Sequence, residues 1–197
     1  MCLLILAHQV SSDYPLLVAA NRDEFHARPT AASRFWPEYP ELLAGQDLLQ
    51  GGTWMGMTRR GRFAAVTNYR DPSHTPEAPR SRGELALKYL TGSQTPADFL
   101  RGMAAQAQDY AGFNLLVGDR NSLWHYTNSD TKDPQNLPPG VYAWQSQTAG
   151  AAGNRPDVPP RTCRRRFQPA PSRPEQPQCA RSRQHHGVHI IASVYSD

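Results

Sequence analysis

The chain has 197 residues, 39% of them hydrophobic, and a formal net charge of +4, a length that allows one good core and excludes two large ones. The charge is uneven: residues 1–144 hold 13 Lys+Arg against 14 Asp+Glu, whereas residues 145–197 hold 8 against 3. The basic character therefore belongs to the last quarter and gives no reason to expect a nucleic-acid partner for the rest.

Residues 2–10 (CLLILAHQV) and 15–20 (PLLVAA) are apolar, with the polar turn Ser11-Ser12-Asp13-Tyr14 between them. That pattern predicts a β-hairpin. Residues 25–50, punctuated by Pro29, Pro37 and Pro40, read as a loop. Residues 51–57 and 62–68 then read as a second pair of strands around Arg59-Arg60-Gly61. Two helices follow. Ser81-Arg82-Gly83-Glu84 fits a capping box, and Thr95-Pro96-Ala97-Asp98 gives an N-cap, a first-turn proline and an acid. Leu85, Ala86, Tyr89 and Leu90 form the apolar face of the first helix, and Phe99, Leu100, Met103, Ala104 and Ala107 that of the second. Strands return at 113–117, 123–127 and 141–144. Four strands, two helices and further strands make an α+β fold, not an alternating βαβ one.

From residue 145 the composition shifts to Pro and Arg. A segment with so little apolar surface is expected to stay disordered or poorly packed, apart from one short strand at 189–195. The predicted organisation is a domain over 1–144 and a tail over 145–197. Three cysteines, Cys2, Cys163 and Cys179, are too scattered for a disulfide framework, and neither they nor the seven histidines show metal-ligand spacing. No metal or cofactor is expected. No stretch approaches the roughly 18–20 apolar residues of a membrane span, and the start lacks a signal-peptide pattern. A cytoplasmic location without stable membrane insertion is the expectation.

Three groups of residues carry chemistry. Removal of Met1 would leave Cys2 with a free α-amine beside its thiol. The amine has a pKa near about 8, so it can act as base for the thiol without a distant His. The alternative is a small apolar residue opening a buried strand. Asn21-Arg22-Asp23-Glu24 closes the second strand, and an antiparallel hairpin returns it beside Cys2. Arg22 or Asn21 can lower a thiol pKa or hold a carbonyl, and Asp23 or Glu24 can orient the amine. The alternative is a solvated strand end paired with Arg28. Thr67-Asn68-Tyr69-Arg70 ends a later strand, where Asn68 can serve as an oxyanion donor or simply as a turn residue. Trp54 reads as a core residue and, with Tyr69, Asn21 and Glu24, as a substrate contact.

Together these segments resemble the NRDE family, also called TANGO2-like. The resemblance is carried by MC at the start, AANRDEFHARPT (19–30), FW (35–36), LAGQDLLQGGTWMG (43–56), GRFAAVTNYR (61–70), SRGEL (81–85) and GFNLLVGD (112–119). It implies a fold like that of N-terminal-nucleophile hydrolases, a four-layer αββα sandwich with Cys2 as nucleophile, incomplete here at its C-terminal side. The implied activity is attack of Cys2 on a small amide or acyl substrate, with Arg22, Asp23 and Asn68 assisting, as in an amidohydrolase of non-peptide C–N bonds. Arg22 and Asp23 are adjacent here, whereas the acylases of that class space them apart. The resemblance equally implies a carrier without catalysis for haem or an acyl-CoA-type ligand, contacted by Cys2 with His8 or His26. The family pattern stops near 145, which suggests an out-of-frame tail and, as a third alternative, a truncated product without function.

Overall fold

The computed structural model describes residues 3–22, 24, 27–69, 78–129, 133–145 and 188–192. Cys2, Asp23, His26, Arg70 and all of the 145–197 tail except Gln145 and 188–192 lie outside the described residues.

The amino-terminal hairpin forms where the two apolar runs and the polar turn between them predict it. Strands β1 (Leu3–His8) and β2 (Leu16–Asn21) pair antiparallel, Leu6 opposite Val18 and Leu3 opposite Asn21. The loop expected over 25–50 is instead two long strands, β3 (Thr30–Trp36) and β4 (Tyr39–Asp47). The prolines do not prevent this. Pro29 precedes β3, Pro37 sits in the tight turn between Trp36 and Tyr39, and Pro40 falls where the register of this edge pair is irregular, positions that need no ladder N–H.

Next come β5 (Met55–Thr58) and β6 (Phe63–Asn68), helices α1 (Gly83–Thr91) and α2 (Pro96–Ala104), and strands β7 (Phe113–Gly118), β8 (Leu123–Thr127), β9 (Gln135–Leu137) and β10 (Gly140–Gln145). A last strand, β11 (Val188–Ala192), overlaps the one predicted at 189–195. β9 carries too few apolar residues for its pattern to announce it. The two helix starts divide. Thr95 caps α2 as expected, its hydroxyl accepting the Asp98 N–H at 3.2 Å. The capping box on Ser81 does not form: Arg82 takes the N-cap position without a side-chain cap, and Glu84 turns to Arg80, Lys88 and the Tyr110 hydroxyl.

Two antiparallel sheets result. Seven strands run in the order β3-β4-β5-β6-β7-β8-β9, and four in the order β10-β1-β2-β11. Strand alternation divides the larger sheet's side chains between two cores. Ala64, Phe113, Leu115 and Val117 face α1 and α2, where Leu85, Tyr89, Leu90, Phe99 and Leu100 cover them. Met55, Phe63, Ala65, Leu116 and Leu123 face the smaller sheet and meet Leu4, Leu6, Val18, Tyr142 and Trp144. Each such large side chain contributes roughly 1.5–3 kcal/mol on burial. Over the described residues the fold is α+β with three layers, helices, sheet and sheet. Among the described residues no helix covers the outer face of the four-stranded sheet, so the fourth layer implied by the resemblance is not present there. Arg62 ties helices to sheet, donating to the Tyr89 carbonyl from Nε at 3.1 Å and Nη2 at 2.8 Å and to the Gln94 carbonyl at 2.9 Å while stacking on the Tyr89 ring. No helix among the described residues is long and apolar enough to cross a membrane.

Candidate functional site

The inter-sheet core is apolar except at one end. There Thr67 is the last residue but one of β6, β7 begins with Phe113 and Asn114, and His125 lies on β8. All three polar side chains have the parity of neighbours that face the smaller sheet: Phe63 and Ala65 for Thr67, Leu116 for Asn114, Leu123 for His125. Thr67 is 6% exposed, Asn114 3% and His125 7%. The Asn114 amide donates to Thr67 Oγ1 at 3.3 Å, and His125 Nε2 lies 3.4 Å from Asn114 Oδ1. These separations are long for such bonds. Burial lowers the His125 pKa to about 4, so its ring is neutral near pH 7. Its other neighbour is Trp144, ring centre to ring centre 5.5 Å. Trp144 pairs with Leu4 across β10 and β1. The polar island therefore lies at the end of the sandwich where β1 begins.

The NRDE tetrapeptide reaches the same end. Asn21 pairs with Leu3, and its Oδ1 accepts the Leu3 backbone N–H at 2.8 Å. Arg22 stacks on the Trp54 indole, its guanidinium carbon 4.1 Å from the ring centre, and pairs with Glu24 at 3.2 Å. Glu24 lies 3.9 Å from Arg28, which donates to Asp47 at 2.6 Å. Burial pushes the Asp47 carboxyl up, but the Arg28 hydrogen bond and the Leu49 and Gln50 N–H groups outweigh it and hold the pKa below its ordinary value. Asn21, Arg22 and Glu24 are thus half-buried at the end of β2, and the two charged side chains are ion-paired toward Arg28.

Trp54 joins the core to the Arg22 stack. It packs against the inter-sheet core, its carbonyl accepts the Val66 N–H at 2.8 Å, and a Cβ at Gly45 would stand 2.5 Å from its ring. Asn68 has the parity of Ala64 and Val66 and so faces the helical side of the sheet, opposite to Thr67. Tyr69, half-buried, is fixed by its backbone N–H to the Gly112 carbonyl at 2.8 Å. His8 is buried at the far end of β1. It lies five positions along the strand from Leu3, about 16 Å. Asn114 and His125 were missed from sequence. The available signal was a polar residue at an inward-facing position in each of FNLLVG and LWHYT.

Among the described residues no group of three or more His, Cys, Asp or Glu is placed to hold a metal ion. What the fold and site define is an α+β protein with a buried polar island between two antiparallel sheets, flanked by a stacked Arg–Trp pair. The family model described as "Transport and Golgi organisation 2" matches residues 1–156, and the chain belongs to that family. It is 39% identical over 137 residues to the cattle Transport and Golgi organization protein 2 homolog, covering 66% of this chain and 49% of that protein. The mouse homolog is 37% identical over the same length, and the Drosophila melanogaster protein 27% over 150 residues, or 72% of this chain and 52% of that one. The chain spans about half the length of the relatives it matches. Solved structures similar to it include penicillin V acylase from Agrobacterium tumefaciens, with a TM-score of 0.44 and 12% identity over 76% of this chain and 53% of that one. Another is the Caenorhabditis elegans ortholog of N-acylethanolamine-hydrolyzing acid amidase, with a TM-score of 0.39 and 11% identity over 75% and 70%.

Proposed function

We propose that the chain carries an N-terminal-nucleophile amidohydrolase site, with Cys2, freed of Met1, attacking the carbonyl of a small amide or related acyl substrate. The observation that carries this reading is the polar island of Thr67, Asn114 and His125 beneath Trp144, beside the start of β1. Leu4 and Leu6, on the strand that follows Cys2 in the chain, send their side chains into the inter-sheet layer. In the proposed reaction the α-amine of Cys2 takes the thiol proton, sulfur adds to the carbonyl, and the amine returns the proton to the departing nitrogen. The resulting thioester is hydrolysed by water. The Asn114 amide, held by long bonds only, supports the reading as an oxyanion donor because exchanging a weak partner for a developing charge gains energy. Arg22 and Asp23 are proposed to hold the substrate and orient the amine.

Intact mass and N-terminal sequencing test the first requirement, since a retained Met1 would sink the mechanism. Labelling by an amide-directed electrophile tests the second. The label is expected on Cys2, absent in Cys2→Ala, and slowed about 100-fold in Asn114→Leu, the lower end of the scale for losing one oxyanion donor.

A further inference from the structure

We infer that Leu48 and Leu49 form a rigid apolar lip that receives the hydrocarbon chain of an uncharged amide, an assignment that rests on the reading of the site given above. These two are the most exposed large apolar side chains among the described residues, at 54% and 59%. They belong to the turn between β4 and β5, and the ladder fixes where that turn lies. Ala44 pairs with Gly56, Met55 with Ala65, and Thr67 stands two residues further along β6. Asp47 and Thr67 therefore reach the same end of the sheet, so the lip borders the end that holds Trp54 and the polar island.

The turn is held by four hydrogen bonds. Asp47 Oδ1 accepts the Leu49 N–H at 3.0 Å, the Gly51 N–H meets the Asp47 carbonyl at 2.7 Å, and the Leu48 N–H meets the Pro29 carbonyl at 3.0 Å. Thr53 donates to the Gly83 carbonyl at 3.1 Å, anchoring the turn on the start of α1. Gly51 has a φ of 75°, which favours glycine. Two leucines on a backbone already held lose little further backbone freedom on binding, which favours such a surface for an apolar ligand. The charges beside it are balanced: Arg22 and Arg28 face Glu24 and Asp47. A charged head group would meet no net opposite charge among these four residues and would have to give up water, whereas a neutral amide meets hydrogen-bonding groups.

Calorimetric titration of the Cys2→Ala protein with N-acetyl-, N-hexanoyl- and N-decanoyl-glycinamide separates binding from chemistry. Affinity is expected to rise at least about tenfold from acetyl to decanoyl, well under the roughly fourfold per methylene of complete burial. In Leu48→Ser/Leu49→Ser on the same background, both positions being exposed, the rise is expected to shrink to within about twofold with the melting temperature unchanged. A chain-length dependence that survives the double substitution overturns the lip, and so does the absence of binding by all three ligands. N-decanoyl-glycinate binding more tightly than the amide overturns the uncharged specificity. Electrophile labelling of Cys2 in the parent protein, run in parallel, reports on the nucleophile alone. Failed labelling beside an intact chain-length series would remove the hydrolase reading and leave the lip standing.

Discussion

The Asn21 side-chain oxygen accepts the backbone N–H of Leu3 at 2.8 Å, fastening the first residue of β1 to the last of β2. A strand end otherwise frays, because its outermost backbone groups lack ladder partners. Asn21→Leu removes the acceptor and is expected to destabilise the chain by about 1 kcal/mol. Asn21→Asp keeps an oxygen in place and is expected to retain most of the stability. Amide exchange at Leu3 is the measurement: acceleration in the Leu variant and protection in the Asp variant. Equal exchange in both would show that the bond does not hold the strand.

His125 makes stability depend on pH. Its folded pKa, lowered by burial from 6.5 to about 4, means the unfolded chain binds a proton below pH 6.5 that the native chain refuses until about pH 4. Stability is therefore expected to fall as pH drops through that window, by up to about 3 kcal/mol from this residue. Urea unfolding at pH 7.5 and pH 4.5 checks it. His125→Gln is expected to show a smaller drop than the parent, and an identical drop would refute the assignment.

Arg62 does with one side chain what a C-terminal cap does for a helix. Its fork reaches two carbonyls, and its plane lies on the Tyr89 ring, 3.9 Å from the ring centre. Lysine keeps the charge and loses the fork. Arg62→Lys is expected to cost about 1–2 kcal/mol and Arg62→Ala about 2–3 kcal/mol, read as shifts in urea midpoint. A lysine variant equal to the parent would mean that charge alone suffices.

Gly52 stands where two chain segments touch. A Cβ there would lie 2.5 Å from the Gly83 carbonyl carbon and 2.9 Å from the Glu84 nitrogen, backbone atoms that cannot swing aside. Gly52→Ala is expected to push the β4–β5 turn off α1 at a cost of at least about 2 kcal/mol. Gly102→Ala, where a Cβ meets nothing within 4 Å inside α2, is expected to raise stability by about 0.5–1 kcal/mol. Thermal melts of the two variants should move in opposite directions.

Where apolar runs are bounded by a polar turn, or a cap residue precedes a helix, the sequence was readable. LLILAH and LLVAAN gave the amino-terminal hairpin, and Thr95 with Pro96 gave the start of α2. The segment 25–50 was not, because its prolines lie at edge and turn positions that only the assembled sheet reveals as harmless. Ser81 failed as a cap because Glu84 found stronger partners in Arg80 and Tyr110, a tertiary preference no local motif encodes. The tetrapeptide and Trp54 stood out by charge and size. Asn114 and His125 did not, since one polar residue in an apolar strand gains meaning only when three strands bring it beside two others.

The four-stranded sheet has a consequence for synthesis. β1 and β2 are complete at residue 21, yet β10, which pairs with the free edge of β1, starts at residue 140. At about 5–20 residues per second, a ribosome takes roughly 6–24 s to deliver it. Throughout that interval one edge of β1 has no strand beside it, and until the larger sheet supplies Phe63, Ala65, Leu116 and Leu123 to cover Leu4, Leu6 and Val18 the hairpin is a two-stranded ribbon, only marginally stable alone in water. The first structure to emerge is among the last to be completed, which makes the opening twenty residues the stretch where a chaperone has the longest time to act.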